Sequence, residues 1–235
     1  MNTRSLQIIA VVSIGIATTL YAQQPAAPAG ADHVAAIKQS LQKSTAVLRQ
    51  YEWVETTAVS IKGEEKSRTQ NNCYYGAEGN LQKTPIGAPA PADKKGGVRG
   101  KVIEKKKEEM SAATKEAIDL VKRYVPPDTA RIQAAKDAGR LTLTPPDPKG
   151  RIVVVIKDYL KPGDSLTFEV NAANDRINRV TVSTFTDTAK DAVSLDVAYG
   201  AFADGTVYPA TTQLKVASQN LAVAIENSGY KKLGG

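Results

Sequence analysis

From Ile152 onward the chain repeats one local pattern. Ile152–Ile156, Ser165–Val170, Ile177–Thr186, Val193–Tyr199, Val207–Val216 and Leu221–Ile225 are short segments rich in β-branched and apolar residues. Turn sequences such as Lys161-Pro162-Gly163-Asp164, Ala172-Ala173-Asn174-Asp175 and Ala203-Asp204-Gly205-Thr206 separate them. Strands joined by connections this short pair as antiparallel neighbours, because a parallel partner needs a long crossover. Val193-Ser194-Leu195-Asp196-Val197-Ala198-Tyr199 alternates strictly, as a strand with one dry and one wet face does. Ile152-Val153-Val154-Val155-Ile156 is apolar at every position, which predicts a central place in the sheet.

The first half supplies helices to cover such a sheet. Ala31–Gln50 carries Val34, Ile37, Leu41 and Leu48 on one helical face, with Asp32 as a candidate N-cap. Tyr51–Ile61 changes to the strand period, and Lys62-Gly63-Glu64 turns the chain into a polar strand, Lys66–Tyr75. A short strand, Leu81–Thr84, follows. Pro85–Gly97 is rich in Pro, Gly and Ala and reads as a mobile connection. Arg99–Val125 is a helical region ended by Pro126-Pro127, and Asp128 or Thr129 can cap a further helix, Ala130–Gly139, with Ile132 and Ala135 inward. The fold class that follows is α+β: an antiparallel sheet with helices packed on one face.

The N-terminus reads as an export signal. One cationic side chain, Arg4, precedes an uncharged apolar run from Leu6 to Leu20, and the expected cut lies between Ala22 and Gln23. Fifteen residues at about 1.5 Å each span roughly 22 Å, short of the ~30 Å hydrocarbon core, so a retained anchor is the lesser reading. The expected organisation is a signal at 1–22, a flexible linker at 23–31 and a single domain at 32–233. Within that domain lie the mobile connection at 85–97 and an inserted helical segment at about 99–139. The formal charge of +7 is too diffuse to name a partner, and an exported chain without a recognition motif argues against nucleic acid. Cys73 is the only cysteine, so no intramolecular disulfide forms. It reads as a strand residue, the alternative being an intermolecular bridge or a reactive thiol.

Residues able to carry catalysis are sparse. His33 is the only histidine and stands beside a helix cap next to a linker, a poor place to hold a base. No phosphate-cradling glycine motif is present, and no metal or cofactor is expected. Glu52 with Glu55, or Glu64 with Glu65, leave only a residual hydrolase reading. The aromatics point to binding. A curved sheet that closes only partly leaves some strand rings lining an apolar groove, and Trp53, Phe185 and Tyr199 are the candidate ligand-binding residues. Packing of these rings under the helices is the alternative.

This order of elements resembles the LolA-like superfamily of periplasmic lipoprotein carriers: a signal, one long helix, strands opening with Tyr51-Glu52-Trp53, a helical insertion, then antiparallel strands. The most family-like segments are Ala203–Pro209, Thr211–Val216 and Ile225–Lys232. The resemblance implies an open, strongly curved antiparallel half-barrel with helices over its concave side, enclosing an apolar cavity for acyl chains. It departs from the carriers in the 85–97 connection and the helices after it, and no handoff residue can be matched. The expectation is a periplasmic or secreted, non-enzymatic protein that binds a lipid-like ligand, in envelope lipid or lipoprotein trafficking. A lipid or acylated molecule is the expected partner, with no transmembrane span once the signal is removed. The alternative is an envelope scaffold with a fully packed sheet, meeting an envelope protein or an anionic surface through the Lys94–Lys107 cluster.

Overall fold

A computed structural model describes residues 29–87 and 112–234. The signal with its cut at Ala22 and Gln23, most of the linker, residues 88–111 with the Lys94–Lys107 cluster, and the side chains of residues 29–38, His33 among them, lie outside the described residues. The chain opens with α1 (Ala29–Leu48), followed by β1 (Tyr51–Ile61), β2 (Glu64–Tyr75) and β3 (Leu81–Pro85). Residues 112–121 form α2, and Thr129–Asp137 forms α3. The remaining strands are β4 (Leu141–Leu143), β5 (Arg151–Lys157), β6 (Ser165–Asn171), β7 (Arg176–Phe185), β8 (Ala192–Ala201), β9 (Val207–Val216) and β10 (Leu221–Lys232). Asp128 caps α3 by accepting the Ala130 N–H at 2.8 Å, and Ile132 and Ala135 are its buried residues.

All ten strands form one antiparallel sheet in the order β3-β2-β1-β10-β9-β8-β7-β6-β5-β4. Pairing of β1 with β10 joins a hairpin array from the first half to one from the second, and β3 and β4 remain free edges. Residues directly opposite on neighbouring strands share a face. Following the register, Ile156, Leu166, Val182 and Leu195 lie on one face, and Leu214, Val223 and Val59 continue it across the sheet. The core is built on this face. Leu41 of α1, Tyr124 and Ile132 pack with the strands from β4 to β9. Ala117 and Val121 of α2 pack over Val193, Leu214, Val216 and Leu221. The opposite face carries Thr167, Thr181, Asp196 and Gln213. The architecture is the expected α+β one: an open, curved antiparallel sheet with its helices on one face.

Several elements differ from their sequence reading. The first helix, α1, begins at Ala29, so Asp32 lies inside it and is not its N-cap. The second, α2, ends at residue 121 and not at Val125, and β4 is a strand that the sequence pattern does not mark. The Ile152–Ile156 run is not central: β5 is ninth in the order, flanked by the three-residue edge strand β4. Val153 and Val155 are accordingly only half-buried while Ile152, Val154 and Ile156 are buried. The last strand does not stop at Ile225 but continues to Lys232, because β1 offers it a full-length partner. Among the described residues, no helix is long and apolar enough to cross a membrane.

Candidate functional site

The rings gather around the start of β1, the end of β10 and the start of β9, beyond the last β9–β10 pair at Thr211↔Glu226. Tyr208, paired with Gly200 next to core-facing Tyr199, lies on the face away from the core. Trp53 stacks on Tyr230 with centroids 5.6 Å apart and meets Tyr75 at 5.8 Å. Tyr230 touches Tyr208 at 4.4 Å and Phe202 at 5.4 Å, and Phe202 stacks on Tyr51 at 4.6 Å. Of these six, Trp53 is buried and the other five are half-buried. A cluster of this size is held by offset and edge contacts, each about 0.5–1.5 kcal/mol beyond area burial.

Two glycines shape it. Between the paired positions Glu52↔Lys231 and Val54↔Ser228, Trp53 alone faces Gly229 and Tyr230, so β10 carries a bulge there. Gly229 takes the left-handed conformation (φ +63°), which lets the extra residue fit and returns Tyr230 to the face of Trp53. Gly200 lies opposite Tyr208, and a Cβ on it would stand 2.7 Å from the phenol ring. The ring therefore lies over bare backbone. Asn227 ties the site together: its Oδ1 accepts the indole N–H of Trp53 at 3.1 Å and its Nδ2 donates to the Pro209 carbonyl at 3.0 Å. The Tyr230 hydroxyl donates to the same carbonyl at 3.4 Å. Burial holds the Tyr230 hydroxyl well above the usual phenol range.

Trp53, Cys73 and Lys83 are opposite one another on β1, β2 and β3, so they share a face with Glu55. The Lys83 ammonium donates to both Glu55 oxygens, at 2.7 and 2.8 Å. Cys73 is fully buried beside this pair; burial, and then the Glu55 carboxylate, push its thiol pKa up. A thiol kept protonated is a weak nucleophile. Glu52 lies on the other face of β1, where it accepts from Asn72 at 3.3 Å, and Glu64 and Glu65 pair with Lys66 and Arg68. In the strand register Glu52 is opposite Tyr74 and Lys231, and Glu55 is opposite Asn71 and Asn227. Among the described residues, no group of three or more His, Cys, Asp or Glu side chains could hold a metal ion.

The three rings singled out from sequence fall in three places. Trp53 is in the cluster. Tyr199 is half-buried on the core face of β8, packed against the main core, where burial pushes its hydroxyl up to about 12. Phe185 stands opposite Ala192, seven residues along β8 from Tyr199 and on the other face. Its ring lies under the Lys161 ammonium, 3.9 Å from the centroid. The other five cluster members, Tyr51, Tyr75, Phe202, Tyr208 and Tyr230, are not among the candidate ligand-binding residues named from sequence. For two of them a sequence signal exists in the glycines beside them, Gly200 opposite Tyr208 and Gly229 before Tyr230.

A second polar arrangement is structural. The Tyr124 hydroxyl donates to Asp164 Oδ2 at 2.6 Å and lies 2.7 Å from the Thr184 hydroxyl. Asp164 also accepts the backbone N–H groups of Tyr159 (2.6 Å), Leu160 (3.1 Å) and Lys161 (2.9 Å). Every acceptor of this buried carboxylate is thereby used, and the β5–β6 turn is pinned to the segment after α2. Burial, and then the Asp164 bond, hold the Tyr124 hydroxyl far above its ordinary range.

Among solved structures, a LolA superfamily protein from Nitrosomonas europaea is similar over 83% of this chain and 93% of its own, with 10% identity and a TM-score of 0.38. A DUF1329 family protein from Desulfovibrio piger is similar over 88% of this chain and 93% of its own, with 9% identity and a TM-score of 0.37. No family model and no curated protein matches the chain.

Proposed function

We propose that this protein is an exported, non-enzymatic carrier that takes a lipid-like ligand against the aromatic cluster at the end of its sheet where β1, β9 and β10 meet. The observation that carries the reading is the six-ring cluster on an open sheet, with five of the rings half-buried. An apolar chain laid against such rings gains about 0.8 kcal/mol per buried methylene. Export rests on the signal-like first 22 residues, and placement in the periplasm on the same segment. Trafficking of envelope lipid or lipoprotein is the role such a carrier would fill.

The rings also touch one another closely, at 4.4 to 5.8 Å between centroids, which favours a second reading: a filled cluster in a scaffold protein. One experiment separates the two. The full chain is expressed with its signal, the exported protein is purified gently, and an organic extract is analysed by mass spectrometry. A stoichiometric acyl-containing species is expected. A clean extract from folded protein, with no response of Trp53 emission to added fatty acid, replaces the carrier with the scaffold.

A further inference from the structure

At the opposite end of the strands from the rings, the β1–β2 turn, the β9–β10 turn and the start of β8 enclose an open cleft of about 620 Å³. Its charged lining consists of two lysines, Lys62 and Lys215, joined by the hydroxyls of Ser183 and Ser194 and by Asn220. Register explains the convergence. Ser183 faces Ser194, Ser194 faces Lys215, and Lys215 faces Ala222 on adjacent strands of one face. The Lys62 N–H donates to the Asn220 carbonyl at 2.8 Å, so the first turn is fastened to the second. Both of these residues hold left-handed backbone, at φ 54° and 47°, without being glycine.

The electrostatics of the cleft are one-sided. No carboxylate lines it. The nearest acids along the chain are already engaged: Glu64 with Lys66, Glu65 with Arg68, and Asp191 with Thr188. Neither lysine has an ion-pair partner among the described residues. Some strand cations are matched, as in Arg179 with Asp196, Arg151 with Asp147, and Lys83 with Glu55. What sets Lys62 and Lys215 apart from Lys157, Lys231 and Lys232 is that they line one concave site together with hydroxyl groups. Two unmatched ammonium groups with two hydroxyl donors in a concave site suit a doubly charged, acceptor-rich anion better than a monoanion.

We infer that this cleft is a binding site for a phosphate monoester, held by Lys62 and Lys215 with Ser183 and Ser194 as hydroxyl donors. The site is separate from the rings, and it stands whether or not they bind lipid.

The test uses the purified full chain at low ionic strength, with glycerophosphate as the probe followed by phosphorus NMR. Saturable binding is expected, weakened at least tenfold in the Lys62→Gln/Lys215→Gln double variant and retained in Lys62→Arg/Lys215→Arg. Lys157→Gln, which removes a lysine four strands away on the same face, should leave it unchanged. Co-flotation with vesicles containing phosphatidate, lost in the double variant, would assign the monoester to a lipid headgroup; glycerophosphate binding without flotation would assign it to a soluble ester. Three results overturn the site: no saturable binding of either probe, equal loss on Lys157→Gln, or equal competition by acetate. Unchanged thermal melting of the double variant shows that lost binding is not lost folding.

Discussion

Gly200 is a glycine because the ring of Tyr208 occupies the space a side chain would take. Gly200→Ala places a methyl 2.7 Å from that ring, and overpacking of this kind costs roughly 1–3 kcal/mol. The ring has to leave, which also opens its contacts with Tyr230 and Phe202. A lower midpoint in urea and a reduced near-ultraviolet signal from the tyrosines are the expected outcome; an unchanged melt would show that Tyr208 does not rest there. The Tyr124 hydroxyl makes a comparable case. Tyr124→Phe keeps the ring between Tyr159 and the core but leaves Asp164 and Thr184 short of a partner in a dry site. A loss of about 1–3 kcal/mol is expected on denaturant titration, and Thr184→Val, which removes only the neutral partner, should cost less. Neither residue announces this role in the sequence. Tyr124 reads as the end of a helix and Asp164 as a turn residue, because the bond joins positions 40 residues apart.

At the scale of the element, most strands are legible because their partners are their chain neighbours. Tyr51–Ile61 and Val207–Val216 have the same bounds in the structure as in the sequence pattern. What alternation does not reveal is the partner a strand gains from far along the chain. Glu226–Lys232 is polar and glycine-containing, so it reads as a tail, yet β1 pairs with it. The same cause displaced the Ile152–Ile156 run, whose β-branched residues signal a strand but not its position in the order. The bulge at Gly229 shows what such a detail decides. Side chains alternate across a strand with a period of two, so removing one residue reverses everything beyond it. Deletion of Gly229 should turn Tyr230 away from Trp53, and the single tryptophan reports the change. Its emission should shift to the red as the indole loses its stacking partner, whereas Gly229→Ala should keep the wavelength and cost only about 1 kcal/mol of backbone strain. The same wavelength in the deletion as in the parent would mean that Tyr230 does not depend on the bulge.

For the whole molecule, the site was harder to read than the fold. Alternation places rings on a face, but only the complete strand order brings Tyr51, Trp53 and Tyr75 beside Tyr230, and sends Phe185 to the far end of another face. The burial that assembles these tyrosines also couples stability to pH. Burial raises the hydroxyl of Tyr199 to about 12, and shifts Tyr124, Tyr159 and Tyr230 in the same direction. In the unfolded chain all four return to about 10. Below that value both states keep their protons and the shifts contribute no pH dependence. Above it the unfolded chain releases protons that the native chain retains, so the unfolded state binds fewer protons and the free energy of unfolding falls as pH rises. Each strongly shifted hydroxyl removes about 1 kcal/mol between pH 10 and 11. Urea midpoints should therefore be nearly level from pH 8 to 9 and drop steeply from 10 to 11. Tyr199→Phe takes one hydroxyl out of the balance without creating a buried unpaired group, since no bond to that hydroxyl raises its pKa, only desolvation. Its decline over the same interval should be shallower than the parent's by about one hydroxyl's share, and parallel curves would show that the Tyr199 hydroxyl reaches water.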